Sequence, residues 1–330
     1  MSQASDRMRR KIMGYIVSQA IFSVCELGIP DALSTGPVCL EDLARRFAID
    51  RNSLRRFLRV LVGEGIFTEC SPDLFGLTEM GELLRNDVPG SLAHLAELMA
   101  GEAYEAWGSS AYSLKHGQPA FDTIYGKSYF DWLSENPQAS ERFARGQAGL
   151  VELRMQPLLG YDWNAIREVV DVGGGDGTLL ARLLREYPQL SGIVFDLPHV
   201  VGDLEAAARY SEGRLRSAAG SFFDYIPPGA DVYILSQILH DWNDGDAANI
   251  LRRCRSAIPA HGRLLIVEQV LPNQATNHPM ALLDLHMLVL LGGMERTEDG
   301  WKELLAVADF ELRSITPGPK SYLIEAFPIG

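Results

Sequence analysis

Three residues in the second half of the chain are of types suited to moving a proton: His240, Glu268 and Glu295. His240 follows the run Ala230-Asp231-Val232-Tyr233-Ile234-Leu235-Ser236, which reads as a buried strand. A histidine just beyond such a strand lies at the sheet edge where open α/β folds bind ligands. A neutral imidazole accepts a proton near pH 7. Glu268 ends the next strand candidate, 263–268, and Glu295 follows the Gly292-Gly293 break after an apolar helix. Either acid can orient the imidazole and stabilise its protonated form, as the third member of a triad does. Taken singly, the histidine reads as a helix cap and each glutamate as a solvated charge. A metal is the other use for such residues, since Asp241, Asp244 and Asp246 offer oxygens to magnesium. Their spacing lacks the loop pattern of a calcium site, and capping of a helix from Ala247 accounts for them better, so no metal is assigned.

Upstream, Glu168-Val169-Val170-Asp171-Val172 runs into Gly173-Gly174-Gly175-Asp176-Gly177 and then Thr178-Leu179-Leu180. This reads as strand, tight turn and helix, the opening of a βαβ unit. Glycine permits positive φ and lets a ligand approach the main chain, so the turn marks a site. A phosphate loop would need a lysine before Thr178, and there is none. A dinucleotide fingerprint places glycines first, third and sixth, whereas Thr178 takes the sixth place here. Both comparisons disfavour phosphate. A second acid, Asp196, ends the strand candidate Gly192-Ile193-Val194-Phe195-Asp196, about where a Rossmann-like ribose acid is expected. The plainer reading is a cofactor-free α/β turn with Asp196 capping a helix.

Strands and helices alternate around these residues. Helices are expected at 198–210, 247–258, 280–291 and 301–308, with strands at 168–172, 192–196, 230–236 and 263–268, and two more at the end. That order implies a parallel sheet covered on both faces, with 322–326 as an inserted antiparallel strand. Ahead of it, helices at 12–27, 40–47 and 54–64, the last capped by Asp50 with Ser53, precede two short strands at 65–69 and 75–78. Helices followed by a hairpin make a winged-helix arrangement. Such a module can read DNA through Arg51, Arg55, Arg56 and Arg59 or can pair with a second chain. Residues 92–160 read as mostly helical and aromatic-rich, with Tyr104, Trp107, Tyr112, Phe121, Tyr125, Tyr129, Phe130, Trp132 and Phe143. Helical spacing makes most of them core and leaves a minority for a flat ligand.

The net charge of −13 argues against general affinity for nucleic acid or anionic membrane, and favours the pairing role for the N-terminal module. No stretch suits a signal peptide or a membrane span. Cys25, Cys39, Cys70 and Cys254 show no metal or redox spacing, and reduced thiols in a cytoplasmic protein are the simplest account.

The acid-led turn Asp171-Val172-Gly173-Gly174-Gly175-Asp176-Gly177 resembles the Asp-x-Gly-x-Gly-x-Gly motif of class I S-adenosylmethionine-dependent methyltransferases. With Ile238-Leu239-His240-Asp241-Trp242 and Gly292-Gly293-Met294-Glu295-Arg296-Thr297, nearly the whole chain is similar to the metal-independent small-molecule O-methyltransferases. That family includes caffeic acid, hydroxyindole and bacterial polyketide-tailoring enzymes. The resemblance implies a Rossmann-like catalytic domain at 161–330, a helical acceptor-pocket segment at 91–160, and a winged-helix-like dimerisation domain at 1–90. It implies S-adenosylmethionine as cofactor, an aromatic hydroxyl as acceptor, and a homodimer. His240 becomes the base flanked by Glu268 and Glu295, while Asp171, Gly173, Gly175, Asp196, Leu197, Ser221, Phe222 and Ser236 fall at cofactor positions. Phe143, Gln147, Asp241 and Met287 match positions near the acceptor.

Three residues depart from the family pattern. Ser221 stands where an Asp beside the adenine is usual, Ser236 replaces the Lys of many plant members, and Gln147 replaces a methionine packed on the acceptor ring. N- or C-methylation, a non-methylating reaction on the same fold, and a DNA-binding regulator are the competing readings.

Overall fold

A computed structural model describes residues 3–201, 213–274 and 280–330. The chain packs as two units, Met1–Glu105 with Glu141–Gly149, and Ala106–Ser140 with Leu150–Gly330.

In the first unit, amphipathic spacing gives helices Gln3–Ile12, Gly14–Glu26, Leu40–Arg46 and Arg51–Gly63. The Asp50 carboxylate accepts from the Ser53 N–H at 2.8 Å, satisfying one of the free donors that open every helix. Strands β1 (Val38–Cys39), β2 (Phe67–Ser71) and β3 (Leu74–Leu77) form a small antiparallel sheet in the order β1-β3-β2. Leu54, Leu58 and Leu61, at helical spacing, pack with Val24, Leu40, Leu43 and Phe75 in one core. Two of the helix's four arginines are engaged within the unit: Asp73 pairs with Arg51 at 2.7 Å and with Arg55, and Glu41 takes Arg51 at 3.2 Å, while Arg56 and Arg59 are exposed.

The second unit is built on a seven-stranded sheet ordered β6-β5-β4-β7-β8-β10-β9. Its strands are β4 (Glu168–Val172), β5 (Ser191–Asp196), β6 (Leu215–Ala219), β7 (Val232–Ser236), β8 (Arg263–Glu268), β9 (Phe310–Pro317) and β10 (Tyr322–Pro328). Strands β4 to β8 are parallel, and β10 enters antiparallel between β8 and β9. Successive side chains of a strand face opposite sides. Accordingly Val170, Val172, Tyr233, Leu235, Leu264 and Ile266 belong to one core, and Val169, Val232, Ile234, Leu265 and Val267 to the other. Apolar layers on both faces explain why the central strands read as continuous apolar runs.

The order reverses at β4, whose neighbours are β5 and β7. In open α/β sheets that reversal opens a crevice at the carboxyl ends of the strands. The glycine turn after β4, the 238–241 turn after β7 and Glu268 at the end of β8 meet there. Residues 198–201 form a turn, and the rest of the helix expected at 198–210 lies outside the described residues.

The aromatic segment differs from expectation. Phe121 and Tyr129 are fully buried, but Trp107, Tyr125, Phe130, Trp132 and Phe143 are half-buried, and Tyr104 and Tyr112 are exposed. The helices here are six to thirteen residues long, such as Ala120–Tyr125 and Tyr129–Glu135, too short to bury two aromatic faces each.

Candidate active site

β7 ends at Ser236, and Gln237 then takes a left-handed backbone at φ +54°. Residues Leu239–Asp241 close into a tight turn that buries His240. Glu268, fully buried at the end of β8, secures this turn. Its Oε1 accepts from the N–H groups of Ile238 and Leu239, both at 3.0 Å, and of His240 at 3.4 Å. The other side of the turn is held by the segment after Gly292. Met294 N–H donates to the His240 carbonyl at 2.9 Å, and Arg296 donates to the carbonyls of Leu239 at 2.8 Å and Trp242 at 2.9 Å. A Cβ on Gly293 would lie 2.1 Å from the His240 carbonyl oxygen, so only glycine lets the two segments approach this closely.

Of the two glutamates, Glu295 takes the imidazole. Its Oε1 lies 2.7 Å from Nδ1, while Glu268 Oε2 is 3.6 Å away. Glu295 is itself fixed through its N–H, which donates to Asp284 on the helix Ala281–Leu290 at 2.8 Å. With Nδ1 engaged, Nε2 is the nitrogen free for exchange with a ligand, and Asp241 Oδ1 lies 3.3 Å from it.

Four titratable groups thus lie together, His240, Glu268 and Glu295 buried and Asp241 half-buried. Burial pushes the imidazole down, but Glu268, Asp241 and Glu295 together outweigh it and hold His240 up at about 10. Burial raises Glu268 and Asp241, against the pull of His240. Such a cluster binds a proton strongly. Ligand atoms of His240, Glu268 and Glu295 also lie within 4.8 Å of one another, a spacing open to a cation, but Glu268 Oε1 and Glu295 Oε1 are committed to N–H groups and the imidazole. Asp244 pairs with Arg296 at 3.0 Å, and Asp246 N–H donates to Asn243 at 3.1 Å. The helix therefore starts at Asp244 with Asn243 as its cap, earlier than expected.

The glycine turn adopts left-handed backbone at Gly173, Gly175 and Gly177. A Cβ on Gly173 would meet Ile238 at 2.5 Å, and one on Gly174 would meet the Asp171 carboxyl at 2.9 Å, so the turn is packed against β7 and its own acid. Asp196 accepts from the N–H groups of Gly175 at 2.8 Å and Leu197 at 2.7 Å. Both oxygens keep a lone pair for a ligand. Burial first, then the charges of Asp196 and Asp176, push Asp171 up to about 7 against the pull of Arg154. Asp171 Oδ2 and Ser236 Oγ are buried without a hydrogen-bond partner, so each has capacity left for a ligand. Ser221 Oγ accepts from Phe223 N–H at 3.2 Å, leaving its own hydrogen to give. The Phe222 ring lies beside Gly173 and packs edge-on to Trp242, which stacks on Phe130 at 5.7 Å. Met287 is buried one turn beyond Asp284. Phe143 and Gln147 lie on the helix Pro137–Gly149, in the part that belongs to the first unit.

Sequence reasoning missed three functional candidates. Arg154 is a half-buried cation whose charge acts on Asp171. Arg296 clamps the histidine turn, and Asp284 positions Glu295. Only Arg296 carried a signal, as a charge next to Glu295 after a double glycine.

Known proteins resemble this chain over nearly its whole length. The model of the O-methyltransferase domain matches residues 107–311, and that of the O-methyltransferase dimerisation domain matches residues 10–87. A phenazine O-methyltransferase of Lysobacter antibioticus is 39% identical over 98% of this chain and 96% of its own. An O-demethylpuromycin O-methyltransferase of Streptomyces alboniger is 37% identical over 99% and 90%. Among solved structures, an O-methyltransferase from neocarzinostatin biosynthesis, in complex with S-adenosylmethionine and 2-hydroxy-5-methyl naphthoic acid, superposes with a TM-score of 0.84 at 33% identity, covering 94% of this chain and 96% of that one.

Proposed function

This chain belongs to the O-methyltransferase family, and from that premise we propose that it moves a methyl group from S-adenosylmethionine to a phenolic hydroxyl of an aromatic secondary metabolite, with His240 as the base. The observation that carries the reading is the 2.7 Å contact between His240 Nδ1 and Glu295, which leaves Nε2 to receive a proton.

The residues of the crevice fit the cofactor. Gly173 and Gly175 expose main chain, Asp196 keeps lone pairs for ribose hydroxyls, and Leu197 and Phe222 offer apolar surface to an adenine. Arg154 suits the carboxylate of the amino-acid end, with Asp171 Oδ2 and Ser236 Oγ as the unpartnered polar atoms nearby. When bound, the cofactor supplies an electrophilic methyl group on a sulfonium. The protein's task is then to hold the acceptor oxygen and remove its proton. Placing the reactants in line is worth about 7–11 kcal/mol, and a positioned base contributes about a hundred- to ten-thousandfold. A phenol ionises near ~10. An imidazole held at about 10 takes that proton with little change in free energy, whereas an ordinary one near 6.5 would take it uphill. Glu268, Asp241 and Glu295 together are therefore what make this histidine basic enough.

Phe143, Gln147, Asp241 and Met287 are assigned to the acceptor, and the domain at 1–90 to a homodimer with a second copy. Exposed Met8, Ile12, Met13, Tyr15 and Ile16 on the first two helices support that pairing. No described helix is long and apolar enough to cross a membrane, and all four cysteines are free, which suits the cytoplasm.

The test is turnover of a panel of hydroxylated bicyclic and tricyclic aromatics with the cofactor, read by product mass and by NMR of the new methyl. A product heavier by one methylene, with the methyl on oxygen, is expected. A methyl on nitrogen or carbon, or products of unchanged mass, would overturn the reading.

A further inference from the structure

The mechanism above leaves a buried histidine unused. His286 lies on the helix Ala281–Leu290, beside Met287 and two residues after Asp284, and is only 7% exposed. The indole of Trp107 donates to its Nδ1 at 3.1 Å, with the two rings within 14° of parallel. An indole N–H can only donate, so Nδ1 carries no hydrogen and the ring bears its proton on Nε2. Among the described residues no protein group partners that Nε2–H. The ring is buried but this nitrogen is not sealed off, so a hydrogen-bond acceptor from outside the chain can reach it. Burial and then the charge of His240 hold His286 down at about 4, and the helix that carries it reaches the catalytic pair through Asp284, which holds Glu295. His286 stays a neutral donor through the working range of pH.

We propose that His286 is a specificity residue whose Nε2–H binds an uncharged hydrogen-bond acceptor, a carbonyl oxygen or ring nitrogen, on the aromatic substrate. The inference rests on the methyl-transfer reading for its substrate class, and narrows that class to phenols carrying such an atom. A carboxylate is the poorer match. It would favour a protonated His286, and a protonated ring would lose the hydrogen bond from Trp107.

The experiment compares a monohydroxyphenazine with the monohydroxyanthracene of the same outline, which lacks ring nitrogens. Binding of each is measured calorimetrically to the full-length protein saturated with S-adenosylhomocysteine, and turnover is measured with S-adenosylmethionine. The wild type is expected to favour the phenazine by about tenfold in Kd. His286→Phe should bring that preference close to one with affinity for S-adenosylhomocysteine unchanged, and His286→Gln, which keeps an N–H, should retain most of it. Trp107→Phe provides a second probe, because without the indole the ring is free to move its proton to Nδ1, and the preference should fall several-fold. A preference unaltered in both His286→Phe and Trp107→Phe would overturn the proposal, as would a wild type that binds neither probe or both equally. If the preference responds as expected but neither probe gains a methyl group, the assignment of His286 stands and methyl transfer is what fails.

Discussion

His240 shares its burial with Glu268, Asp241 and Glu295, so its behaviour with pH belongs to the group. Its folded-state value, about 10, lies above the ordinary 6.5. The imidazole must be neutral before it can take a proton, so kcat/KM should rise with pH and level off only above about 10, as His240 loses its proton. Glu295→Gln removes one of the charges that hold the proton. The rising limb should then move to lower pH while the plateau falls about 10- to 100-fold, because a weaker base faces the same phenol. A limb that moves up or stays in place contradicts the assignment. The same contacts act on folding: a raised histidine contributes stability that is present below about 6.5 and is lost as pH climbs through about 10. Asp171 has the opposite sign. Burial holds it at about 7, against ~3.9 in an unfolded chain, so it costs stability as pH rises from about 4 to 7. Asp171→Asn should therefore melt higher than wild type near pH 8 and equally near pH 4, by at most about 4 kcal/mol, with weakened cofactor binding. Thermal melts at the two pH values check the first half and calorimetry the second.

At the scale of elements, the site is two backbone turns held face to face. Glu268 satisfies three N–H groups of one, and Arg296 and Met294 tie it to the other. Gly293→Ala would drive a Cβ into the His240 carbonyl and the Asp241 backbone, neither of which can swing aside. We expect kcat to fall at least about a hundredfold through a misplaced base while cofactor affinity stays within a few-fold, because Gly293 is not part of the glycine turn. Stopped assays and cofactor titration of the same preparation separate the two. The legible part of the site was set by local sequence. A β-branched run, a cluster of glycines and an acid at a strand end are short-range patterns with few structural solutions. Strand ends then carried His240 and Glu268 to one edge. What could not be read was the pairing of side chains distant in sequence. Nothing local says that Glu295 rather than Glu268 takes Nδ1, that Asp284 steadies Glu295, or that Trp107 meets His286. The aromatic segment misled for a related reason, since helical spacing shows a face but not whether anything covers it.

At the scale of the molecule, the arginine helix and the first two helices bear on the partner. Arg51 and Arg55 are engaged by Asp73 and Glu41, which leaves Arg56 and Arg59 as the exposed cations of the helix, and the chain's net charge of −13 argues against general affinity for phosphates. Ile12, at the end of the first helix, and Ile16, in the second, are 66% and 40% exposed. Replacing both with Asp should convert the protein to a monomer in sedimentation velocity at micromolar concentration, with the melt of the glycine-turn unit little changed. A sedimentation coefficient equal to that of wild type would mean that the partner surface lies elsewhere.

If His240 removes the phenolic proton during methyl transfer, single-turnover rates of wild type and His240→Ala on a series of phenols of graded acidity, with cofactor affinity measured alongside, should differ in a set way. Wild-type rates should be nearly independent of phenol acidity. The variant should lose about a hundred- to ten-thousandfold, most steeply for the least acidic phenols, and largely recover for those already ionised. A variant with undiminished rates, or with a loss equal across the series, would contradict that role for His240.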